Sequence, residues 1–362
     1  MNDTLQKNRF PWLDALRFIS AILVVIAHCR SNFFAIFSQL ASQSQTLSTK
    51  IFYLATSFSD DAVFVFFILS GFLVGGTVLD KLNKRVNVDW REFLISRFTR
   101  ILLPLFATLL LCLIIYTIEG SNPPYIQILG NALSLQGLFV ESEGGVLWTM
   151  PYIIWSYVFL LSLIQISNQS MHIRVGGIIL FGLSITLFLA FPHPKCFLAV
   201  ALGALAYFIR KIKLPRWFIL VNLIVVLSTA LIAKFAKPSI SRDTSMLAFV
   251  NLDVLNFIES FCLSIVISRL VNYQPTRWFG KWINSISTKL AKFSYSIYLV
   301  HYCAIRLMIF VGFPKSEQVN FTSILFYISE IAICILFGYI FYILVEKNTP
   351  KVKRYFMSKL NR

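Results

Sequence analysis

Long apolar stretches separated by short polar connections dominate the chain. Ten of them can be recognised, at residues 13–29, 62–79, 101–118, 147–166, 175–191, 197–209, 217–235, 252–270, 290–312 and 323–345. A helix needs about 20 apolar residues to cross the hydrocarbon core of a bilayer, and the 197–209 stretch is the shortest of the ten. The pattern predicts an all-α, polytopic integral membrane protein with about ten transmembrane helices.

The composition agrees with this prediction. The chain of 362 residues is 57% hydrophobic and 14% charged, whereas soluble domains are about 45–50% apolar and about 25% charged. So few charges do not cover the apolar surface of a water-soluble protein, which excludes a soluble enzyme, a disordered protein and a fibrous repeat. Because the connections are too short for a separate soluble domain, we expect residues 1–362 to form one membrane domain.

The basic residues indicate how the chain is oriented. The net charge is +17, from 33 Lys and Arg against 16 Asp and Glu. With the N-terminus placed inside, alternate connections divide the basic residues into 24 inside and 7 outside. Cytoplasmic connections carry the excess of Lys and Arg, so both termini are predicted to be cytoplasmic. The positive charge is therefore a topology signal, and no nucleic-acid partner is expected.

The six cysteines show no paired metal-ligand spacing. Most of them fall in apolar stretches, where a free thiol behaves as a small hydrophobic group. We therefore expect no metal site. No cleavable signal peptide is evident after the first stretch.

Ionisable side chains within membrane spans are costly, and this makes them functional candidates. Arg17 and His28 are eleven residues apart on the first predicted helix. They therefore share one face and are separated by about 16 Å along the helix axis. Asp14 precedes Arg17 by three residues and is predicted to pair with it. The alternative is a snorkelling arginine and an interfacial histidine.

Three polar residues of the ninth stretch also share a helical face, namely Ser294, Tyr298 and His301. They are either part of a site or a hydrogen-bonded stripe that packs helices together. Arg306 and Glu330 fall at similar depth in the outer halves of consecutive spans. We predict that these two pair or share a polar cavity, with a purely structural ion pair as the alternative.

Glu259 is also placed in the outer half of its span, so several ionisable groups indicate a water-accessible site at that depth. Arg97 and Arg100 lie three residues apart at the start of the third span. Arginine binds phosphate with two parallel hydrogen bonds, although ordinary anchoring of the cytoplasmic face would explain both residues as well.

Five motifs in order resemble the acyltransferase-3 family of membrane acyltransferases. They are the Arg and His separated by ten residues within 12–28, the Ser-Gly-Phe run of 66–73, the Arg-x-x-Arg of 97–104, the Ser-Tyr…Leu-x-His element of 294–301 and the Glu…Pro ending of 346–350. Each motif is weak alone, but together they extend over nearly the whole chain.

The resemblance implies transfer of an acyl group, usually acetyl, from cytoplasmic acyl-CoA to a hydroxyl of a glycan. Acetyl-CoA would be the donor and a cell-surface polysaccharide or its lipid-linked precursor the acceptor, in a bacterial inner membrane. His28 would be the general base, Arg17 with Asp14 would hold the donor, and Arg97 and Arg100 would contact the CoA phosphates. The candidate substrate-binding residues are Trp148, Glu259, Ser294, Tyr298, His301, Arg306 and Glu330.

One motif departs from the family pattern. The family often has Trp-Ser-Leu-x-x-Glu at the start of a central span, and the matching residues 148–153 end in Ile153. Either that glutamate is dispensable in this branch, or Glu141 or Glu143 replaces it, or the activity is altered.

Two other classes of function stay open. A proton-coupled secondary transporter would also use intramembrane His, Glu and Arg, but no matching pair of interrupted helices is apparent in the two halves. A non-catalytic membrane partner protein would explain Ile153. Membrane lipid is an expected partner, and homo-oligomerisation is left open.

Overall fold

The computed structural model describes residues 10–235, 251–273 and 278–360, except for the side chain of Phe279. Over these residues the chain is 81% helical with no β-strand. The all-α class predicted from the hydrophobic pattern is therefore confirmed.

Sixteen α-helices follow one another in the described residues. The first eight are α1 (Pro11–Phe33), α2 (Leu47–Ala55), α3 (Ser59–Ser70), α4 (Gly76–Asn83), α5 (Trp90–Arg97), α6 (Leu103–Ile118), α7 (Tyr125–Ala132) and α8 (Met150–Ile166). The second eight are α9 (Met171–Ala190), α10 (Pro194–Ile209), α11 (Arg216–Phe235), α12 (Leu252–Leu270), α13 (Trp278–Leu290), α14 (Ser294–Phe310), α15 (Phe321–Leu344) and α16 (Thr349–Leu360).

Eight helical segments of the described chain are long and apolar enough to cross a membrane. They are Pro11–Phe33, Leu47–Asn83, Trp90–Ile118, Leu147–Ile166, Met171–Ala190, Arg216–Phe235, Gly280–Phe310 and Phe321–Leu360. The short stretch at 197–209 forms the shorter apolar helix α10. The stretch at 252–270 forms α12, which includes Asp253, Glu259 and Arg269. The chain is thus a polytopic membrane protein, and the cytoplasmic position of its termini stays a prediction.

Local sequence explains where several helices begin and bend. Pro11 opens α1 at a position where the missing N–H costs nothing. Asn320 and Ser323 form a reciprocal capping box at the start of α15. π-Helical turns at Gly71–Gly75 and Phe98–Leu102 join α3 to α4 and α5 to α6. Such turns occur frequently at functional sites.

Glycines bring α3 and α10 into backbone contact. A Cβ atom on Gly203 would lie 2.1 Å from the carbonyl oxygen of Ile68, and one on Gly71 would lie 1.8 Å from that of Val200. Small residues drive helix packing in membranes because lipid tails are as apolar as Leu. The contact fixes the position of α3, which forms one wall of the cavity described below.

α14 lies at the centre of the structure. It packs against α1, α6 and α15, and Ile297, Val300 and His301 on it are fully buried. Gly338 of α15 meets Ile297 so closely that an added Cβ would lie 2.7 Å from the Ile297 Cα atom. The buried side chains of α14 are therefore closely surrounded by neighbouring helices.

Candidate active site

A cavity of about 550 Å³ opens where α1, α3, α8 and α14 meet the start of α6. We call it the arginine cavity. Its polar lining includes Asp14, Arg17, Ser70, Arg97, Arg100, Thr149, Tyr157, Lys292, Ser294, Tyr298 and Glu346. Six of the twelve candidate residues from the sequence are in this set. They are Asp14, Arg17, Arg97, Arg100, Ser294 and Tyr298.

Positive charge predominates in the arginine cavity. Its charged lining residues are Arg17, Arg97, Arg100 and Lys292 against two acidic groups. Arg17 Nη1 lies 3.2 Å from Asp14 Oδ1, so the pair predicted from their spacing is confirmed. The cavity is suited to a ligand with several negative charges.

Aromatic rings position Arg97. Its guanidinium carbon lies 5.6 Å from the centre of the Tyr157 ring and 5.8 Å from that of Phe93. The Tyr157 hydroxyl is in turn 2.5 Å from Ser70 Oγ. Arg97 Nε is buried and has no hydrogen-bond partner among the described residues. The two rings thus orient the guanidinium, and no carboxylate among the described residues accepts a hydrogen bond from its Nε.

Glu346 brings a carboxylate to the arginine cavity, and Ile153 lines the same cavity. Glu346 Oε2 accepts a hydrogen bond of 2.5 Å from Ser296 Oγ. Neither Glu141 nor Glu143 is among the lining residues. Glu346 follows the end of α15, and the replacement of the glutamate absent at Ile153 by Glu141 or Glu143 stays a prediction.

Two histidines from α1 and α14 form a hydrogen-bonded pair. His28 Nδ1 lies 3.0 Å from His301 Nε2, and His301 Nδ1 lies 3.0 Å from the carbonyl oxygen of Ile297. A carbonyl oxygen only accepts, so His301 Nδ1 carries the proton and, in the neutral ring, Nε2 is an acceptor. His28 Nδ1 then donates, which leaves the lone pair of His28 Nε2 available as a base.

A hydroxyl pair lies next to the two histidines. The Tyr298 hydroxyl is 2.6 Å from Thr149 Oγ1 and donates to the carbonyl oxygen of Val146 at 3.0 Å. The centre of the Tyr298 ring is 6.2 Å from that of His301. Tyr298 and Thr149 line the arginine cavity, whereas neither histidine is among its lining residues.

A second cavity of about 570 Å³ includes Tyr302 in its lining. We call it the carboxylate cavity. Its lining residues are Tyr116, Glu119, Gln127, Glu143, Gly144, Gly145, Tyr302, Arg306, Ile309 and Phe310. The Tyr302 ring meets that of His28 edge to face, with 6.2 Å between their centres. Tyr302 thus connects this cavity to the histidine pair.

Arg306 is bound within the carboxylate cavity. Its Nε donates to both oxygens of Glu119 at 2.8 and 3.0 Å, its Nη1 lies 3.4 Å from Glu143 Oε1, and its guanidinium stacks 3.8 Å from the centre of the Tyr116 ring. Burial raises the pKa of Glu143, against the opposing effects of the Tyr116 hydroxyl and the Arg306 charge.

The predicted pairing of Arg306 with Glu330 is wrong. Arg306 contacts Glu119 and Glu143 instead, whereas Glu330 is buried on α15 and its Oε2 has no hydrogen-bond partner among the described residues. The sulfur atom of Cys334, four residues further along α15, lies 3.8 Å from that of Cys29 on α1, so Glu330 is on the α1 side of α15. The direction of each residue about the helix axis does not follow from the sequence.

Five of the twelve candidates line neither of the two cavities, namely His28, Trp148, Glu259, His301 and Glu330. Glu259 is buried and hydrogen-bonds with Asp61, which forms a salt bridge with Lys234. It therefore belongs to an ion cluster between α3, α11 and α12. The Trp148 ring packs 5.9 Å from that of His193. The sequence analysis did not single out Glu119, Gln127 and Tyr302, because they lie at a helix end, in a short helix and on an apolar span.

α14 contributes lining residues to both cavities. Along α14, Ser294 and Tyr298 line the arginine cavity, and Tyr302 and Arg306 line the carboxylate cavity. One helical turn, about 6 Å, separates Tyr298 from Tyr302, and His301 lies between them. α1 leads from Arg17 to His28, and α6 leads from the Arg100 turn to Tyr116. The histidine pair thus has one lining residue of each cavity beside it, Tyr298 next to His301 and Tyr302 next to His28.

Comparison with known proteins is consistent with this arrangement. The family model described as an acyltransferase domain, that of the acyltransferase-3 family, matches residues 10–352. No curated protein and no solved structure matches the chain. The match extends over nearly the whole sequence and includes all the helices that line the two cavities. The chain therefore belongs to the acyltransferase-3 family and is a membrane acyltransferase.

Proposed function

We propose that this acyltransferase moves an acetyl group from acetyl-CoA to a hydroxyl of a cell-surface polysaccharide or its lipid-linked precursor. The observation that carries the proposal is the hydrogen-bonded His28–His301 pair, because its His301 ring lies 6.2 Å from Tyr298 of the arginine cavity and its His28 ring lies 6.2 Å from Tyr302 of the carboxylate cavity. The family match supplies the reaction class, and the two cavities supply a separate entrance for each substrate.

The arginine cavity has the chemistry that acetyl-CoA requires. CoA carries phosphates at one end, for which Arg97, Arg100 and Lys292 provide cations at the mouth of the cavity. Its pantetheine arm would lie along apolar walls that include Leu13, Phe66 and Phe67. Because the basic end of the molecule is the predicted cytoplasmic side, the donor would enter from the cytoplasm, as expected for an inner-membrane enzyme.

In the proposed mechanism His28 Nε2 takes the proton of the acceptor hydroxyl while the hydroxyl oxygen attacks the thioester carbonyl carbon. The new C–O bond gives the acetyl ester, the C–S bond breaks, and the CoA thiolate leaves with the proton returned from the His28 imidazolium. His301 is a positioning residue, because its Nε2 fixes the His28 tautomer. Arg17 would contact the donor, and Asp14 would orient Arg17.

The test follows acetyl label in membrane vesicles that contain the native glycan. We expect acetyl-labelled acetyl-CoA to give base-labile label in the glycan with the wild-type protein. With His28→Ala we expect the rate of labelling to fall at least about 100-fold, because general-base catalysis contributes an effect of this size. His172→Ala is the matched control, because His172 is exposed at the start of α9.

Three results would overturn the proposal. One is equal labelling by His28→Ala and wild type at matched protein levels. Another is no label from the wild type with the native glycan present, which would favour a non-catalytic partner protein. The third is label that accumulates inside the vesicles without ester formation, as a transporter would produce.

A further inference from the structure

The carboxylate cavity has a lining that can bind a hydroxyl-rich ring. Glu119, Glu143 and Gln127 offer carboxylate and amide groups, which accept and donate hydrogen bonds to hydroxyls. Tyr116 and Tyr302 add aromatic rings to the same lining. Ligand sites commonly combine apolar or aromatic walls with a few fixed polar groups of this kind.

The polar groups of this cavity are held in place by further hydrogen bonds. Gln127 Nε2 donates to Glu143 Oε2 at 3.1 Å, and the Tyr116 hydroxyl donates to Glu143 Oε1 at 3.2 Å. The side chain of Asn131 accepts from the Glu143 N–H at 3.0 Å and donates to the Glu141 carbonyl at 2.8 Å. α7 and the loop after it therefore form a pre-organised wall.

Two glycines keep the floor of the cavity open. Gly144 and Gly145 have φ angles of +61° and +63°, a conformation in which side chains are strained. A Cβ atom on Gly145 would lie 3.4 Å from the Tyr302 ring. The absence of side chains here leaves the Tyr302 ring open to the cavity, and behind that ring lies His28.

The charges of the cavity determine what kind of ring it can take. Among its described lining residues, Arg306 is the basic one. Glu119 binds Arg306 through Nε and through Nη2 at 2.5 Å. No cation is left for the carboxylate of an acidic sugar, and Glu119 and Glu143 would repel it.

We infer that the carboxylate cavity is the acceptor site and that it selects a neutral or amine-bearing sugar ring over an acidic one. In this assignment Glu119 and Glu143 determine specificity. Glu119 does so by neutralising Arg306, and Glu143 by facing the ring with a second acidic group. The inference rests on the proposed function, because it places the acetyl-accepting hydroxyl next to His28.

Saturation-transfer-difference NMR on the purified full-length protein in detergent tests the inference without requiring turnover. The probes are the methyl glycosides of glucose and galactose, glucosamine, and glucuronic and galacturonic acids. We expect saturation transfer to the neutral and amino sugars. The uronic acids should bind with an affinity at least about tenfold lower. Glu317→Gln is the control, because Glu317 is an exposed acidic residue in the loop between α14 and α15.

Glu119→Gln provides an arm that misfolding does not imitate. It releases Arg306 from its strongest partner, so the variant should gain uronic-acid binding, by about tenfold relative to the neutral sugars. The inference is overturned if the wild-type protein binds uronic acids as well as neutral sugars, if no sugar of the panel binds, or if Glu119→Gln leaves the preference unchanged. Sugar binding without acetyl transfer would contradict the proposed function alone, whereas transfer without this sugar preference would contradict the inference alone.

Discussion

The two cavities are nearly equal in size, about 550 and 570 Å³, yet they use arginine in opposite ways. In the arginine cavity Arg97 is positioned by the Tyr157 and Phe93 rings, and its Nε has no partner among the described residues. In the carboxylate cavity Arg306 is bound by Glu119 and Glu143. The first arrangement leaves a cation for a ligand, and the second uses the cation to hold two acidic groups together. The partners of an arginine, rather than its presence in a span, therefore determine its role.

The histidine pair is where the comparison is most sensitive, because it joins both cavities. His301→Ala removes the acceptor that fixes the His28 tautomer, and we expect kcat to fall about 100-fold while the KM for acetyl-CoA stays unchanged. Steady-state kinetics over a range of pH should also show a displaced acidic limb, because activity is lost when the general base is protonated. His301→Gln retains an acceptor, so partial recovery of kcat in this variant would support a positioning role. No recovery with His301→Gln at a normal level of folded protein would contradict that role.

The wall of the arginine cavity depends on the contact between α3 and α10. Gly203→Val would place a side chain where Ile68 backbone lies 2.1 Å away, so we expect a loss of about 3 kcal/mol of stability or more. Thermal unfolding in detergent measures it. Gly182→Val on α9 is the control, because a Cβ there has open space. Equal melting temperatures for the two variants would contradict the close contact.

Removing the charge of Arg306 should act on the carboxylate cavity alone. Arg306→Gln leaves Glu119 and Glu143 without their cation. Because these groups are largely buried, we expect the free energy of unfolding, measured by thermal unfolding in detergent, to fall by about 2 kcal/mol. The KM for acetyl-CoA should not change. A rise in that KM equal to the rise seen with an Arg97 variant would show that the two cavities are not separate in function.

Removing the charge of Arg97 should act on the arginine cavity alone. Arg97→Gln is expected to raise the KM for acetyl-CoA about tenfold, the effect of one charge-assisted hydrogen bond, with the acceptor KM unchanged. Arg97→Lys should recover little, because an ammonium does not stack on Tyr157 and Phe93 as a guanidinium does. Arg354→Gln, at an exposed arginine of α16, controls for the loss of surface charge.

The sequence predicts the helices well, and the depth of the polar groups in the membrane stays a prediction. All ten apolar stretches fall on helices, and the spacing of Asp14 and Arg17 is sufficient to predict their pair. Hydropathy identifies a membrane span because the lipid core requires a helix with apolar side chains. The spacing of three residues between Arg97 and Arg100 likewise predicts that they share a helical face, and both line the arginine cavity.

The sequence does not predict which way a polar side chain points around a helix. In a membrane both the lipid-facing and the protein-facing sides are apolar, so hydropathy alone does not mark the inner face of α15. Arg306 and Glu330 are predicted at a similar depth but do not share a cavity. The hydrophobic pattern does not indicate a role for Glu119 for another reason. Glu119 lies at the end of α6, and it contacts Arg306 only because the tertiary fold brings the two together.

The central claim is that donor and acceptor reach the His28–His301 pair from opposite sides of the membrane. Sealed vesicles of both orientations, each given acetyl-labelled acetyl-CoA on the outside only, test it directly. The account predicts glycan labelling in inside-out vesicles and none in right-side-out vesicles until they are permeabilised. Equal labelling of sealed vesicles in the two orientations would contradict it.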